Sequence, residues 1–435
     1  MLVGVVGFGK SGQAAYRLLK DRGFDVYVFD DRVELNGDGL FGKDRADRFF
    51  DIEFDEVVLS PGIKPYHPFV KHCIERRIRI ISELELGYRY AKGEIIAITG
   101  TNGKSTTVAL VERILKGSSR KALACGNYGL PLSEAVFFDA DYYVVEASSY
   151  QLEFIDGFRP HIAAILNIAF DHLGWHGSMD NYIEAKKKIY KNQTNRDFFI
   201  KNDSDGYSFD GKAELFLVSS KSRDADCFYN RDGVVVNRPD RLKIDKTGLF
   251  GSKVFENVAF ASVIGLLCGV QGKIIKEVVG AMSNLDHRIE FVDEIEGVKF
   301  YNDSKATNLD AVEAAINSFD EDVGIVLILG GKHKGEPYSK LLPLFEKRVK
   351  AIVVYGDDRK LILTELEKFL PIPLPALNIW GAVRAAFEVA AKGDVVLFSP
   401  GGSSCGPYKN FEERGEAFKE EVKKFKKEYE EVPLV

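Results

Sequence analysis

Residues 95–115 read IIAITGTNGKSTTVALVERIL. A β-branched apolar run halts at Gly100, a second glycine follows at Gly103, and Lys104 and Ser105 open a stretch of helical character. A strand that runs through glycines into a helix belongs to a sheet with parallel neighbours, because the helix must return across the sheet face before the next strand pairs. The same residues suit a phosphate. Glycines let backbone N–H groups approach an anion, Lys104 adds a point charge, and Ser105 or Thr106 offers a hydroxyl to Mg²⁺. The general phosphate loop carries a glycine five residues before its second glycine. That position here is Ile98, so the loop is a shortened Gly-x-x-Gly-Lys-Ser. Gly100, Thr101, Asn102, Gly103, Lys104, Ser105 and Thr106 are the candidate ATP-binding residues, with amides from Thr101 to Ser105 facing the β- and γ-phosphates.

Apolar runs ending at glycine recur along the chain. LVGVVGFG, DVYVFD and EVVLSPG read as strands, with helical spacing between Gln13 and Arg22. KALACG, DYYVVEASS and HIAAILNI continue the second set, followed by a polar region at 192–248 whose NRDGVVVN suggests a hairpin on a mixed or antiparallel edge. An apolar helical segment, Val258 to Gly269, closes it. VKFYND, GIVLILGG, KAIVVYG and DVVLFSPGG form a third set, and FKEEVKKFKKEYEE predicts a surface helix packing a Phe and Val stripe. The chain of 435 residues therefore reads as three α/β domains, 1–92, 93–284 and 285–435. The first is Rossmann-like, the second resembles a P-loop ATPase with a mixed sheet, and the third is again Rossmann-like. Ligands are expected at the C-terminal strand ends.

The charge balance limits the partners. With 59 basic and 65 acidic residues well mixed, no basic tract suggests nucleic acid. The run KKKIYK after Ala185 reads most simply as the wet face of a helix. Five dispersed cysteines suggest neither a disulfide framework nor a zinc site. No apolar stretch is long enough to span a bilayer, and the start lacks a basic leader, so a cytoplasmic protein without membrane contact is expected. A monomer is expected too.

Gly7-x-Gly9-x-x-Gly12 follows a strand, opens a helix and precedes Asp30 at the end of the next strand. This fits a dinucleotide, since glycines admit a diphosphate to a helix N-terminus and an acid can hold a ribose hydroxyl. It fits another nucleotide diphosphate, such as a UDP-sugar, equally well, and plain turn geometry remains a third reading. In the second set, Glu146 ends a strand and is a candidate carboxylate for Mg²⁺. Asp171, His172 and His176 lie beyond the next strand. His172 is a candidate ligand beside the ATP loop, whereas His176 reads as an ordinary hydrogen-bonded histidine.

TGTNGKST, GNYG, VVEASSYQLE, DHLGWH and YIEAKKKIY together resemble the Mur ligases, ATP-dependent amide-forming enzymes of peptidoglycan precursor synthesis. The resemblance runs from Gly7 to Gly415 and is weakest at about 195–250. It implies transfer of the γ-phosphoryl group to a carboxylate and displacement of phosphate by an amine. It implies two Mg²⁺ ions, with Lys104, Glu146, His172 and Lys186 catalytic and Ser105, Glu146, His172 and Lys186 as metal ligands. Lys186 matches the lysine that carries a carbamate in the family. DHRIEFVDEIEGVKFYNDSKATN, GGKHKGEPY and SPGGSSCGPYKNFEERG resemble the members that add D-glutamate to UDP-N-acetylmuramoyl-L-alanine. On that resemblance His287 and Arg288 lead into the ATP site, and Asn257, Arg288, Asp303 and Lys305 join it. Thr307, Lys334, Ser404 and Phe411 surround D-glutamate. Ser11, Asp30, Asp31, Ser60, Gly62 and Asn127 hold the UDP-linked substrate, so the Gly7 cluster is expected to bind a uridine diphosphate sugar. The sequence departs from the family at Phe170, where an acid is commoner, at CGPY before Lys409, and at GSKVFEN. The rivals are another amide ligase with this loop, such as a folylpolyglutamate synthase-like enzyme, an NAD-dependent oxidoreductase, and a nucleotide sensor without catalysis. GFGKSG and SPGI weigh against the first, and Lys104, Glu146 and His172 against the second.

Overall fold

The computed structural model describes residues 1–31, 39–171, 173–404 and 406–431. It contains three sheets, each with helices packed on it, which is the three-domain α/β architecture the glycine-terminated strands predict. By packing, the chain divides into two compact units, 1–168 with 175–246 and 255–280, and 169–174 with 247–254 and 281–435.

The first unit holds two sheets. One has five parallel strands in the order Leu40–Phe41, Asp25–Phe29, Leu2–Val6, Glu56–Leu59, Arg79–Ser82. The helix Lys10–Asp21 turns Gly12, Ala14, Ala15, Leu18 and Leu19 inward, the apolar stripe read from its spacing. The other sheet has nine strands. Ala122–Gly126, Tyr142–Glu146, Glu94–Thr99, Ile162–Ile165, Phe198–Asn202, Glu214–Ser219 and Cys227–Asn230 run parallel in that order. Gly233–Val236 and Leu242–Ile244 complete an antiparallel edge, with the expected hairpin at Asn230–Gly233. The strand feeding the phosphate loop thus lies between those ending at Glu146 and Ile165, so whatever follows those two ends flanks the loop.

The two sheets meet through the helix Glu83–Tyr90, which packs on the short helix Leu132–Ala135. A Cβ at Gly87 would lie 2.7 Å from the Ser133 nitrogen, so only glycine permits this approach. The Glu85 carboxylate accepts the N–H groups of Asp156, Gly157 and Phe158. Glu83 is fully buried, one oxygen accepting the Ser133 N–H at 2.6 Å, and the other has no hydrogen-bond partner among the described residues. Burial pushes its carboxyl up to about 7, against the lowering effect of the Ser133 bonds.

The second unit is built on six strands in the order Glu290–Ile295, Val298–Asn302, Val395–Gly401, Ile325–Gly330, Val349–Tyr355, Leu374–Ala376. All pairs are parallel except the first, a hairpin turning at Glu296 and Gly297, both with positive φ. The last helix, Phe411–Glu431, buries Phe418 and Val422, and Phe418 stacks on Phe398 with centroids 4.4 Å apart. This is the stripe expected for the C-terminal segment. No helix among the described residues is long and apolar enough to cross a membrane.

Candidate active site

At the first glycine cluster, Gly7 adopts φ +87° at the end of its strand, and a Cβ on Gly12 would lie 1.8 Å from the Gly7 oxygen. Two of the three glycines are therefore demanded by packing, while a Cβ at Gly9 would meet nothing within 4 Å. Ser60 Oγ donates to the Gly7 carbonyl at 2.7 Å, and Asp30 Oδ2 accepts the Phe8 N–H at 2.6 Å. Asp30 and Ser60 thus gather at the edge between adjacent strand ends, with half-buried Ser11 in the first turn of the following helix. Asp31 and Gly62 are exposed. Asn127, expected on the muramoyl part of the UDP-linked substrate, lies at the second sheet, where its Nδ2 donates to Glu146 Oε1 at 2.7 Å.

The second cluster is more polar. Gly100 and Gly103 have φ +149° and +83°, and Gly103 precedes the helix Lys104–Gly117. Lys104 Nζ donates to the Gly100 and Thr101 carbonyls, each at 2.8 Å. Ser105 Oγ donates to Glu146 Oε2 at 2.6 Å. Ser105, Glu146 and Asn127 therefore form one cluster across three neighbouring strand ends. One carboxylate beside a hydroxyl is a hard-oxygen set suited to Mg²⁺, an ion that takes few protein ligands and completes its shell with phosphate and water. Among the described residues no group of three His, Cys, Asp or Glu side chains could hold a metal by itself. His172 lies outside the described residues.

Lys186, the first lysine of the basic run, is not on a wet face. It is 2% exposed in the helix Met179–Lys187, donating to the Gly100 carbonyl at 2.8 Å and lying 4.6 Å from the Tyr182 ring centroid. Lys187 and Lys188 take surface roles, paired with Glu184 and Glu153. The wet-face reading of the run holds for these two, while Lys186, set apart from it by the family resemblance, is turned toward the loop. His176 is buried and bonded to Ser149 Oγ at 3.0 Å, and burial holds its imidazole below the usual value.

Sequence reasoning passed over two residues here. The Thr101 and Asn102 N–H groups, expected to face phosphate, donate to Asn167, the first to its carbonyl and the second to its side-chain Oδ1, each at 2.9 Å. Asn167 Nδ2 in turn donates to Glu256 Oε1 at 2.9 Å. An amide directly after a strand that neighbours a phosphate loop, and an acid opening an otherwise apolar helix, were the available signals. Asn257, the next residue, points its Oδ1 to within 2.2 Å of where a Gly103 Cβ would be.

In the second unit, Asp303 is buried, accepting from Ser399 Oγ at 2.8 Å, and burial raises its carboxyl to about 7 while Ser399 and the Arg288 charge oppose. Lys305 Nζ lies 3.6 Å from the Phe411 ring centroid. Arg414 is wholly buried and ties the chain together, donating to Ser304 Oγ and to the Ser304 and Gly402 carbonyls. Lys334 pairs with Asp171 at 3.1 Å, and Asn308 Nδ2 reaches the same carboxylate at 3.3 Å. Those three, with Phe170, Glu336 and Tyr338, line a cavity. Thr307, Ser404 and Phe411 are not in that lining: Ser404 is buried beyond the bridge between Lys332 and Ser403, and Phe411 sits under Lys305.

A mainly parallel sheet with a shortened phosphate loop, an acid at the neighbouring strand end and a second α/β unit with a cavity lined by Asp171 and Lys334 suit an ATP-dependent ligase. Residues 98–265 match the Mur ligase middle domain and residues 287–402 the Mur ligase glutamate ligase domain. The chain belongs to the Mur ligase family. It is 38% identical to the UDP-N-acetylmuramoylalanine–D-glutamate ligase of Aquifex aeolicus over 96% of this chain and 97% of that one. The enzyme of the same name from Syntrophus aciditrophicus is 37% identical over 97% of each. Among solved structures, the UDP-N-acetylmuramate-alanine ligase of Thermotoga maritima superposes with a TM-score of 0.61 at 17% identity, covering 98% of this chain and all of that one. A similarity at that identity speaks for the fold.

Proposed function

We infer that this protein is an ATP-dependent ligase that joins D-glutamate to UDP-N-acetylmuramoyl-L-alanine through an acyl phosphate, releasing ADP and phosphate. The end-to-end match to ligases of that name carries the reading, and the Ser105–Glu146 pair at the phosphate loop supplies the chemistry. Residues 1–92 would bind the UDP group, 93–284 ATP and Mg²⁺, and 285–435 the amino acid. The enzyme would act as a cytoplasmic monomer, away from membrane and nucleic acid.

Carboxylates resist amines because their oxygens are poor leaving groups. The alanyl carboxylate attacks the γ-phosphorus, ADP departs, and phosphate becomes the leaving group that the glutamate amine displaces. Lys104 would leave its loop carbonyls for the phosphates, offsetting the repulsion between two anions. Thr101, Asn102 and Thr106 complete that loop, with Asn257, Arg288, Asp303 and Lys305 on the nucleotide. Ser105 and Glu146 would hold one Mg²⁺, whose charge stabilises the crowded phosphoryl oxygens. Lys186, as a carbamate, would join His172 on the second: an ammonium repels a cation, whereas CO₂ addition makes its tip an anionic oxygen donor. Thr307, Lys334, Ser404 and Phe411 would hold D-glutamate, with Ser11, Asp30, Asp31, Ser60, Gly62 and Asn127 on the UDP substrate.

Phosphate release measured with UDP-N-acetylmuramoyl-L-alanine and ATP, offering D-Glu, L-Glu, L-Lys and diaminopimelate in turn, tests the proposal. D-Glu should give the fastest release, and hydroxylamine should trap a hydroxamate of the alanyl group. No hydroxamate and no amino-acid-dependent phosphate from folded enzyme would overturn it.

A further inference from the structure

We propose that Asn167 and Glu256 act as one positioning pair that fixes the leading half of the phosphate loop before nucleotide arrives. The inference rests on the reading that this loop holds ATP phosphates. Asn167 uses both its backbone and its side chain on the loop. Its carbonyl accepts the Thr101 N–H, its Oδ1 accepts the Asn102 N–H at 2.9 Å, and its Nδ2 donates back to the Asn102 carbonyl at 3.2 Å. The same Nδ2 donates to Glu256 Oε1 at 2.9 Å. Only one orientation of the carboxamide satisfies all three side-chain bonds, because a carboxylate and a carbonyl can accept but not donate. Glu256 therefore selects that orientation, and Asn202 Nδ2, 3.5 Å from the same oxygen, sits on its other side.

The location makes the pair effective. Glu256 is buried in the first turn of the helix Val254–Leu267, where the helix field favours a carboxylate. Asn257, the adjacent residue, braces the trailing half: Thr107 Oγ1 reaches its Oδ1 at 3.4 Å, and any side chain at Gly103 would strike it. One helix end thus supports both halves of the loop, the leading half through Asn167. A loop held in one shape before the anion binds, with its Thr101 and Asn102 N–H groups already satisfied, needs no reorganisation when the anion arrives. Losing the pair should weaken nucleotide binding and leave binding at the Gly7 cluster unchanged.

The test is calorimetric titration with MgADP, alongside KM for ATP and for the UDP substrate. Asn167→Ala and Glu256→Ala should each weaken MgADP by about tenfold, the effect of losing one charge-assisted or buried hydrogen bond. The double variant should be little worse than either single one, because the two residues work through one contact. Glu256→Gln, which keeps an acceptor, should stay within about twofold of wild type. KM for ATP should rise while KM for the UDP substrate stays put. Where Asn167→Ala fails to fold, Glu256→Ala and Asn167→Asp, which removes the donor, carry the measurement. Unchanged MgADP affinity in the folded variants, or equal loss of both KM values, overturns the inference. If the wild-type protein itself does not bind MgADP, the nucleotide reading falls with it.

Discussion

Two glycine clusters follow parallel strands in two sheets, and their surroundings differ. At Gly7–Gly12 the glycines answer to the protein itself: Gly12 packs on the Gly7 carbonyl, and the nearby Asp30 carboxylate caps the Phe8 N–H. No lysine follows the last glycine there. At Gly100–Gly103 two ammonium groups, Lys104 and Lys186, converge on a single loop carbonyl, and a carboxylate waits one strand away with Ser105. A loop whose one lysine, Lys10, is exposed and which is edged by an acid can receive a ribose and diphosphate by hydrogen bonds, whereas a triphosphate about to lose its end needs concentrated positive charge. Glycine spacing announces that backbone approaches an anion; the neighbouring charges say what is then done with it.

The largest effect should come from removing either lysine, Lys104 for its positive charge on the phosphates and Lys186 for the carbamate it would carry to Mg²⁺. Lys104→Ala and Lys186→Ala are each expected to lower turnover by a factor of about 10³, the scale for removing a group that stabilises a transferring phosphoryl, with KM for the UDP substrate changed little. Near-normal turnover of Lys186→Ala at saturating Mg²⁺ would return that lysine to a packing role. Next, Gly12→Ala should destabilise the protein by about 2–3 kcal/mol, a cost typical of overpacking, while Gly9→Ala should shift stability by less than about 0.5 kcal/mol. Urea unfolding compares the two directly, and equal losses would show that the cluster is not built around one packing contact.

The smallest and broadest effect concerns the seam between the two sheets. Glu83 holds its proton more tightly folded than unfolded, about 7 against the ordinary 4.5. The folded state therefore binds more protons across that window, and stability is full below about pH 4.5 and falls as pH rises through 7. The loss is at most ~3 kcal/mol. Glu83→Gln should flatten this slope, as read by unfolding midpoints between pH 4.5 and 8. A slope unchanged by the substitution would place the titration elsewhere.

Much of this was legible beforehand because strands that end at glycine leave a clear mark. Val298–Asn302, Ile325–Gly330, Val349–Tyr355 and Val395–Gly401 coincide with the runs VKFYND, GIVLILGG, KAIVVYG and DVVLFSPGG. The strand Glu290–Ile295 was hidden because it is amphipathic and half polar, although Glu296-Gly297 is a typical hairpin turn with φ positive at both positions. Lys186 was singled out by the family resemblance and not by the charge run, since a run of lysines says nothing about which one a helix turns inward. Asn167 and Glu256 escaped because their importance is relational. An amide after a strand and an acid opening an apolar helix are weak signals until the strand order places Ile165 beside Thr99.

The third sheet has its own consequence for how the molecule comes into being. Val395–Gly401 occupies the slot between Val298–Asn302 and Ile325–Gly330, and Arg414 then locks the turns around it. Until residues 395–401 have left the ribosome, the earlier strands have a gap down their middle and two unsatisfied edges. Birth of this half is therefore all-or-nothing and late, and a nascent chain halted before residue 395 presents quality-control factors with a sheet that cannot close.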